Sequence, residues 1–257
     1  MNEAELLERI ARAAREAGQA VMAVYATDFA VHAKDDASPV TEADKQAEAV
    51  ILRHLAELTP QIPVVSEEQA VSGCAPAHGA RFWLVDPLDG TKEFIKRNGE
   101  FTVNIALVDA GRPRLGVVLA PASGRLFAGV AGQGARLEDE SGSHPIRCRR
   151  IPADGLTVVS SRSHGDTSAL ERWLASWAQG RRVAGHLTAG SSLKFCLVAA
   201  GEADVYPRFG RTMEWDTAAG HAVLAAAGGT VSTLDGAELA YGKPGLENPH
   251  FVACGPP

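Results

Sequence analysis

Trp83-Leu84-Val85-Asp86-Pro87-Leu88-Asp89-Gly90-Thr91-Lys92-Glu93-Phe94 stands near the end of the first third of the chain. An unbroken apolar run stops at two carboxylates three residues apart, and Gly-Thr follows. Such a run predicts a buried strand that ends in a turn stiffened by Pro87. Hard divalent cations take clustered oxygen ligands, and phosphate takes free backbone N–H groups at a helix start. The stretch offers both at one place, so metal-dependent phosphate chemistry is the first expectation.

Upstream, residues 3 to 25 carry Leu6, Leu7, Ile10, Ala14, Val21 and Met22 on a helical period with charges between them. Lys34 to Val40 breaks the pattern, and Thr41-Glu42-Ala43-Asp44 opens a second helix that turns Ala47, Val50, Ile51, Leu55 and Leu58 inward. Pro60 and Pro63 stop it before Ser66-Glu67-Glu68. Downstream, Phe101–Val108, Arg114–Ala120, Arg125–Val130 and Gly134–Leu137 read as an antiparallel meander joined by turn-type segments. From residue 151 strands and helices alternate. Leu156–Ser160, Ala203–Tyr206 and Thr230–Thr233 read as strands; Ser168–Trp177, Ser191–Ala200 and Asp216–Ala227 read as helices, the last closed by Gly228-Gly229. A soft boundary near Pro145 and Pro152 divides lobes of one unit, 1–150 and 151–257.

The whole chain has 257 residues, 46% hydrophobic and 22% charged, with a formal net charge of −6. That length holds a substantial core, and the acidic balance provides no field for a nucleic acid polymer. The basic stretches Lys92–Arg97 and Arg147–Arg150 read as solvated surface. Cys74, Cys148, Cys196 and Cys254 lack Cys-x-x-Cys spacing, which argues against a zinc ribbon or disulfide framework. With no signal peptide and no window of about 18 apolar residues, the expected setting is cytoplasmic. Loose attachment to the inner face of a membrane stays open.

Acidic residues recur at structural transitions: Asp44, Glu67, Asp86 with Asp89, and Asp216. Each has an ordinary explanation. Asp44 suits the positive end of a helix dipole, Asp216 suits an N-terminal cap, and Glu67 and Glu68 suit solvated surface. Asp86 and Asp89 resist such an explanation, because an exposed loop needs neither the apolar strand nor the proline. Together the set matches what two or three Mg²⁺ ions require if the fold gathers the strand ends.

Asp86-Pro87-Leu88-Asp89-Gly90-Thr91 and Trp215-Asp216-Thr217-Ala218-Ala219-Gly220, with Ser66-Glu67-Glu68 and Pro39 to Asp44, resemble the lithium-sensitive, magnesium-dependent phosphatases related to inositol monophosphatase. The resemblance covers nearly the whole chain and implies a layered α-β-α-β-α sandwich of the α/β class. Lys92-Glu93-Phe94, Ser161-Arg162-Ser163-His164, Gly190 to Phe195, Tyr206-Pro207-Arg208 and Glu214 to His221 are similar to the 3′(2′),5′-bisphosphate nucleotidase branch.

The resemblance implies that Glu67, Asp86, Asp89 and Asp216 ligate metal together with the Leu88 carbonyl. Asp44 either holds a third, weaker ion through water or orients the nucleophilic water. Thr91 and Glu67 act on that water, and Gly90 and Thr91 grip the scissile phosphate. The implied reaction is in-line attack by a metal-activated water on adenosine 3′,5′-bisphosphate or its sulfated relative, with no phosphoenzyme. A small phosphorylated nucleotide is the partner, and the protein is a monomer or homodimer.

Lys194, Arg208 and Arg162 are candidates for a second substrate phosphate, against a surface role for Lys194 and Arg162. Ser161, His164 and Gly190 are further candidate contacts. Glu214 either accepts from a sugar hydroxyl or supports Asp216, and His221 reads as structural. Trp83 and Phe94 read as core packing. Inositol monophosphate or fructose 1,6-bisphosphate is the alternative substrate, and a non-catalytic nucleotide sensor is the alternative class. There is no Gly-x-Ser-x-Gly elbow, which argues against a serine hydrolase.

Overall fold

The computed structural model describes residues 1–27, 31–33, 39–73, 79–161, 172–174, 177–178 and 180–256. A seven-stranded sheet forms first: β3 (Val64–Ser66), β4 (Arg81–Asp89), β5 (Thr102–Asp109), β6 (Arg112–Ala120), β7 (Arg125–Val130), β8 (Gly134–Asp139) and β9 (Gly142–Ile146), in that order. Only β3–β4 is parallel; the rest is the expected meander, extended by β9. Alternation along the strands loads both faces. Val103, Ile105 and Leu107 of β5 join Trp83, Val85, Val117 and Leu126 on one side. Ala106 and Val108 join Phe82, Leu84, Val118 and Phe127 on the other.

Helices α1 (Glu3–Tyr25) and α2 (Glu42–Leu58) cover the first face through Leu6, Ile10, Ala14, Val21, Ile51 and Leu55. A reciprocal cap starts α1: Glu5 N–H donates to Asn2 Oδ1 at 2.8 Å, and Asn2 N–H to the Glu5 carboxylate at 3.1 Å. Trp83 is fully buried with its indole N–H on Thr59 Oγ1 at 2.9 Å, and Phe94 packs against Tyr25 and Phe101. Both are core residues, as their sequence context predicts.

The second face takes α5 (Leu193–Ala199) and α6 (Glu214–Ala226), here numbered after the short α3 (Glu67–Val71) and α4 (Thr91–Ile95). Beyond them lies a five-stranded sheet of order β11-β10-β12-β14-β13, made from β10 (Leu156–Ser160), β11 (Val183–Thr188), β12 (Val205–Arg208), β13 (Thr230–Thr233) and β14 (Phe251–Cys254). Leu174, Trp173 and Trp177 pack outside it on Val158, Val205 and Val252. The sequence of layers is the α-β-α-β-α implied by the resemblance.

Small residues fix how closely α6 lies on the first sheet. A Cβ at Gly116 would stand 2.5 Å from the Ala219 carbonyl oxygen, and one at Gly129 would stand 2.7 Å from Ala226 Cβ. The obstacle at Gly116 is backbone and cannot rotate aside. Gly116→Ala is therefore expected to cost about 1–3 kcal/mol by overpacking, read as a lower denaturant midpoint with an unchanged slope. A wild-type midpoint would mean that the helix can slide.

His221 on α6 is almost fully buried, and Tyr241 ties it in place. The Tyr241 hydroxyl donates to Thr217 Oγ1 at 3.2 Å and so accepts from His221 Nδ1 at 3.0 Å. Burial lowers the imidazole pKa from its ordinary 6.5 to about 3. Below pH 6.5 the unfolded chain takes a proton there that the native chain refuses, so stability falls with falling pH. The slope tends to about 1.4 kcal/mol per pH unit between those values. His221→Gln should flatten the acid limb of a melting-temperature profile over that window; an unchanged limb would assign it to other groups.

Six strands escape the sequence reading, four of them for local reasons. β9 carries Pro145 at a sheet edge, β11 is mostly exposed and lacks alternation, and β3 and β14 are runs of three and four residues. Val31–Ala33 and Pro39–Thr41 (β1 and β2) pair antiparallel, the first just before the segment read as a break and the second at its end, and neither was read as a strand. The helix expected over Ser168–Trp177 lies mostly outside the described residues, of which 172–174 are helical. In the basic stretch Arg147–Arg150, Arg147 and Arg150 are exposed as expected, but Arg149 is not merely solvated. Its guanidinium pairs with the buried Asp204 carboxylate at 2.8 and 3.0 Å and donates to Thr157 at 3.0 Å, fastening the connector to the second sheet. Cys148, Cys196 and Cys254 are free thiols, and Cys74 lies outside the described residues. Among the described residues no helix is long and apolar enough to cross a membrane.

Candidate active site

A three-residue separation on a regular strand would put Asp86 and Asp89 on opposite faces. The pairing shows why they share one. Asp86 pairs with Asn104 and Asp89 with Thr102, so β4 spends three residues where β5 spends two. The extra residue in Pro87-Leu88 is a bulge that re-aims Asp89 to the side of Asp86. Gly90 then turns the chain with φ of 93° and caps α4, a conformation that favours glycine.

The other acids arrive on separate elements. Asp44 lies in the first turn of α2 and is 3% exposed, whereas its neighbour Glu42 is exposed. Favour from the helix dipole alone would leave Asp44 in water. Glu67 opens α3 after Ser66, and Asp216 lies in the first turn of α6. Asp44, Glu67, Glu68, Asp89, Gly90, Thr91, Ser161, Lys194, Arg208 and Asp216 line one cleft of about 230 Å³.

The charges of these acids act on one another. Burial, and then the negative charges of Glu67, Asp89, Asp216 and Asp44, push the Asp86 carboxyl well above its ordinary range. Burial and then Asp89 push Asp216 well up, against the Met213 N–H bond. Burial also raises Asp89, but Lys194 and hydrogen bonds from Asn104 and Ser192 pull it back. A buried cluster of this sign needs positive charge.

The donor set suits a hard cation. Asp86 Oδ1 accepts from Leu88 N–H at 3.1 Å, and Asp216 Oδ2 accepts from Met213 N–H at 2.8 Å. Asp89 Oδ2 accepts from Ser192 N–H at 2.7 Å, Asn104 Nδ2 at 3.3 Å and Thr102 Oγ1 at 3.4 Å. Asp86, Asp89 and Asp216 thus each have one oxygen held and one without a hydrogen bond among the described residues. Oxygen-only ligands with one free oxygen apiece fit Mg²⁺. No group of three or more acidic, histidine or cysteine side chains among the described residues is drawn into metal-holding geometry as it stands.

Lys194 is buried, and its ammonium donates to the carbonyls of Ser191 at 2.6 Å and Ala189 at 3.2 Å. Burial lowers its pKa to about 8, while the Asp89 charge resists and the Arg208 charge assists. A surface role for Lys194 is thereby excluded. Arg208 sits in the cleft wall with Nη2 on the Arg211 carbonyl at 3.0 Å and a buried Nε that has no hydrogen bond among the described residues.

Two candidates take other work. Glu214 is fully buried, and its oxygens accept from Gly242 N–H at 2.7 Å and Lys243 N–H at 2.9 Å, with the Lys243 ammonium at 2.7 Å. It anchors the 240–243 segment, and neither a sugar contact nor support of Asp216 follows from this placement. Gly190 is buried where a Cβ would stand 2.3 Å from the Glu100 carbonyl oxygen, so it is a packing residue. The Thr91 hydroxyl donates to the Leu88 carbonyl at 3.4 Å. Arg162 and His164 lie outside the described residues.

Asn104, Ser191, Ser192 and Tyr206 were not among the sequence candidates. Asn104 had a signal: it is a polar residue inside a strand that is otherwise buried and apolar. Ser191, Ser192 and Tyr206 lie in stretches that carry the resemblance, but nothing in those stretches assigned them a contact, since the loop that brings the two serines to Asp89 is a tertiary feature.

The model of the inositol monophosphatase family matches residues 2–251. The chain is 48% identical over 241 residues to the 3′(2′),5′-bisphosphate nucleotidase CysQ of Escherichia coli, covering 92% of this chain and 94% of that one. It resembles the crystal structure of CysQ from Bacteroides thetaiotaomicron with a TM-score of 0.81 at 39% identity, covering 98% and 97% of the two chains. An inositol monophosphatase from Anabaena gives a TM-score of 0.77 at 28% identity, covering 99% and 92%.

Proposed function

Because the chain belongs to the inositol monophosphatase family, we propose that its cleft is the active site of a magnesium-dependent 3′(2′),5′-bisphosphate nucleotidase. The enzyme removes the 3′-phosphate of adenosine 3′,5′-bisphosphate and releases AMP. The identity to the curated bisphosphate nucleotidases over almost the whole chain carries this reading.

Glu67, Asp86, Asp89, Asp216 and the Leu88 carbonyl are assigned to hold Mg²⁺, and Asp44 to a further ion or to the water. Bound Mg²⁺ supplies a lowered pKa for water and neutralises charge on the phosphoryl oxygens. Thr91 would hydrogen-bond the attacking water and orient it, and the Glu67 carboxylate would take its proton. Gly90 and Thr91 grip the phosphoryl group, with Ser161 beside them in the wall.

The second phosphate falls to Arg208. Lys194 has already committed two of its three N–H donors to backbone carbonyls, whereas Arg208, with Nη2 on the Arg211 carbonyl, keeps a buried Nε with no hydrogen bond among the described residues. Arg208→Ala is expected to raise KM for the bisphosphate about 10- to 100-fold, the scale of a lost charge-assisted contact, and to leave KM for inositol 1-phosphate within about twofold. Equal rises on both substrates would remove Arg208 from that role.

The reading itself is tested by the identity of the product. Adenosine 5′-monophosphate with one equivalent of phosphate is expected. Adenosine 3′-monophosphate, or no product in the presence of Mg²⁺, would overturn it.

A further inference from the structure

Ser192 lies buried behind Ser191 of the cleft wall and bonds to two of the carboxylate-bearing elements at once. It is 1% exposed and opens α5, on the loop that returns from the second sheet. Its N–H donates to Asp89 Oδ2 at 2.7 Å, and its hydroxyl donates to the Asp216 carbonyl at 2.7 Å. The same hydroxyl accepts from Asn104 Nδ2 at 2.9 Å, and Asn104 Nδ2 also reaches Asp89 Oδ2 at 3.3 Å. Asn104 in this arrangement has a buried Oδ1 with no hydrogen bond among the described residues. Around it, Ser191 holds φ of 51°, its hydroxyl bonds to the Asp89 and Glu100 carbonyls at 2.8 and 2.9 Å, and Lys194 ties down the Ser191 carbonyl.

We propose that Ser192 is a positioning residue for the cation site. It locks one oxygen of Asp89 away so that only the other is offered, and it fixes the start of α6 that carries Asp216. The Ser192 hydroxyl joins β5 to α6, so it sets the spacing of two acids supplied by different layers. Groups that hydrogen-bond a metal ligand hold its orientation, and removing them typically weakens binding about 10- to 100-fold. The inference rests on the reading of the cleft as a Mg²⁺ site.

The test is Mg²⁺ titration of chelator-treated protein by calorimetry, which needs no substrate. Ser192→Ala keeps the backbone N–H but loses the bridge, and should weaken the tightest site about 10-fold with an unchanged melting temperature in chelator. Ser192→Thr keeps the hydroxyl and should bind within about twofold of wild type. Asn104→Ala gives a second route to the same loss, should Ser192→Ala melt early. Wild-type affinity in both Ser192→Ala and Asn104→Ala would overturn the proposal. A wild-type protein that binds no Mg²⁺ would overturn the reading of the cleft along with it.

Discussion

Asp89→Asn is expected to lower kcat/KM by at least about 10³-fold, equivalent to roughly 4 kcal/mol of barrier, without unfolding the protein. The carboxylate is held by Ser192, Asn104 and Thr102 through Oδ2, and its other oxygen is the one assigned to the cation. An amide oxygen still accepts from Ser192, so the local frame persists, but the negative charge that attracts Mg²⁺ is gone. Burial already disfavours the ionised form of Asp89. The variant should therefore melt at or above the wild-type temperature in chelator and gain less from added Mg²⁺. Kinetics and paired melts check both halves. Near-normal turnover would remove Asp89 from the metal set.

Gly90→Ala carries the second large effect, on stability and turnover together. The position has φ of 93°, and a Cβ would stand 2.2 Å from Ser191 Oγ, the hydroxyl that bonds to the Asp89 and Glu100 carbonyls. Left-handed strain costs about 1–2 kcal/mol, and displacing the Ser191 hydroxyl adds to it. A loss of about 2–4 kcal/mol in unfolding free energy is expected. Turnover should fall about 100-fold, since small displacements of positioning groups cost that much. In a Ser191→Gly background the clash disappears, so the further loss caused by Gly90→Ala should shrink to the strain alone. An additive double variant would show that the two residues do not meet.

The layered fold was legible because its local signals agree. The helical period of α1, the alternation from Thr102 to Val130 and the glycine pair after α6 each point to the element that forms. The edge strands were not, because Pro145 in β9 and the exposed, unpatterned β11 answer to pairing partners rather than to their own sequence. In the site, Asp86 and Asp89 stood out in one short stretch, but their common face depends on a bulge that no spacing rule supplies. Lys194 was named by pattern, and only its burial beneath the Ser191 loop gives it a structural task. Glu214 was named by the same means, yet its carboxylate serves the 240–243 backbone. Sequence motifs mark which residues are unusual; the packing of layers decides what each of them faces.

Phosphate release from adenosine 3′,5′-bisphosphate, measured beside inositol 1-phosphate and fructose 1,6-bisphosphate with and without Mg²⁺, is the decisive measurement. A kcat/KM for the nucleotide at least about 100-fold above inositol 1-phosphate is expected, because a site built for a second phosphate leaves buried donors unpaired when that phosphate is missing; fructose 1,6-bisphosphate, whose second phosphate is carried on a different frame, should also be the poorer substrate. The activity should vanish in chelator. Preferential turnover of inositol 1-phosphate or fructose 1,6-bisphosphate, or phosphate release that is indifferent to Mg²⁺, would contradict it.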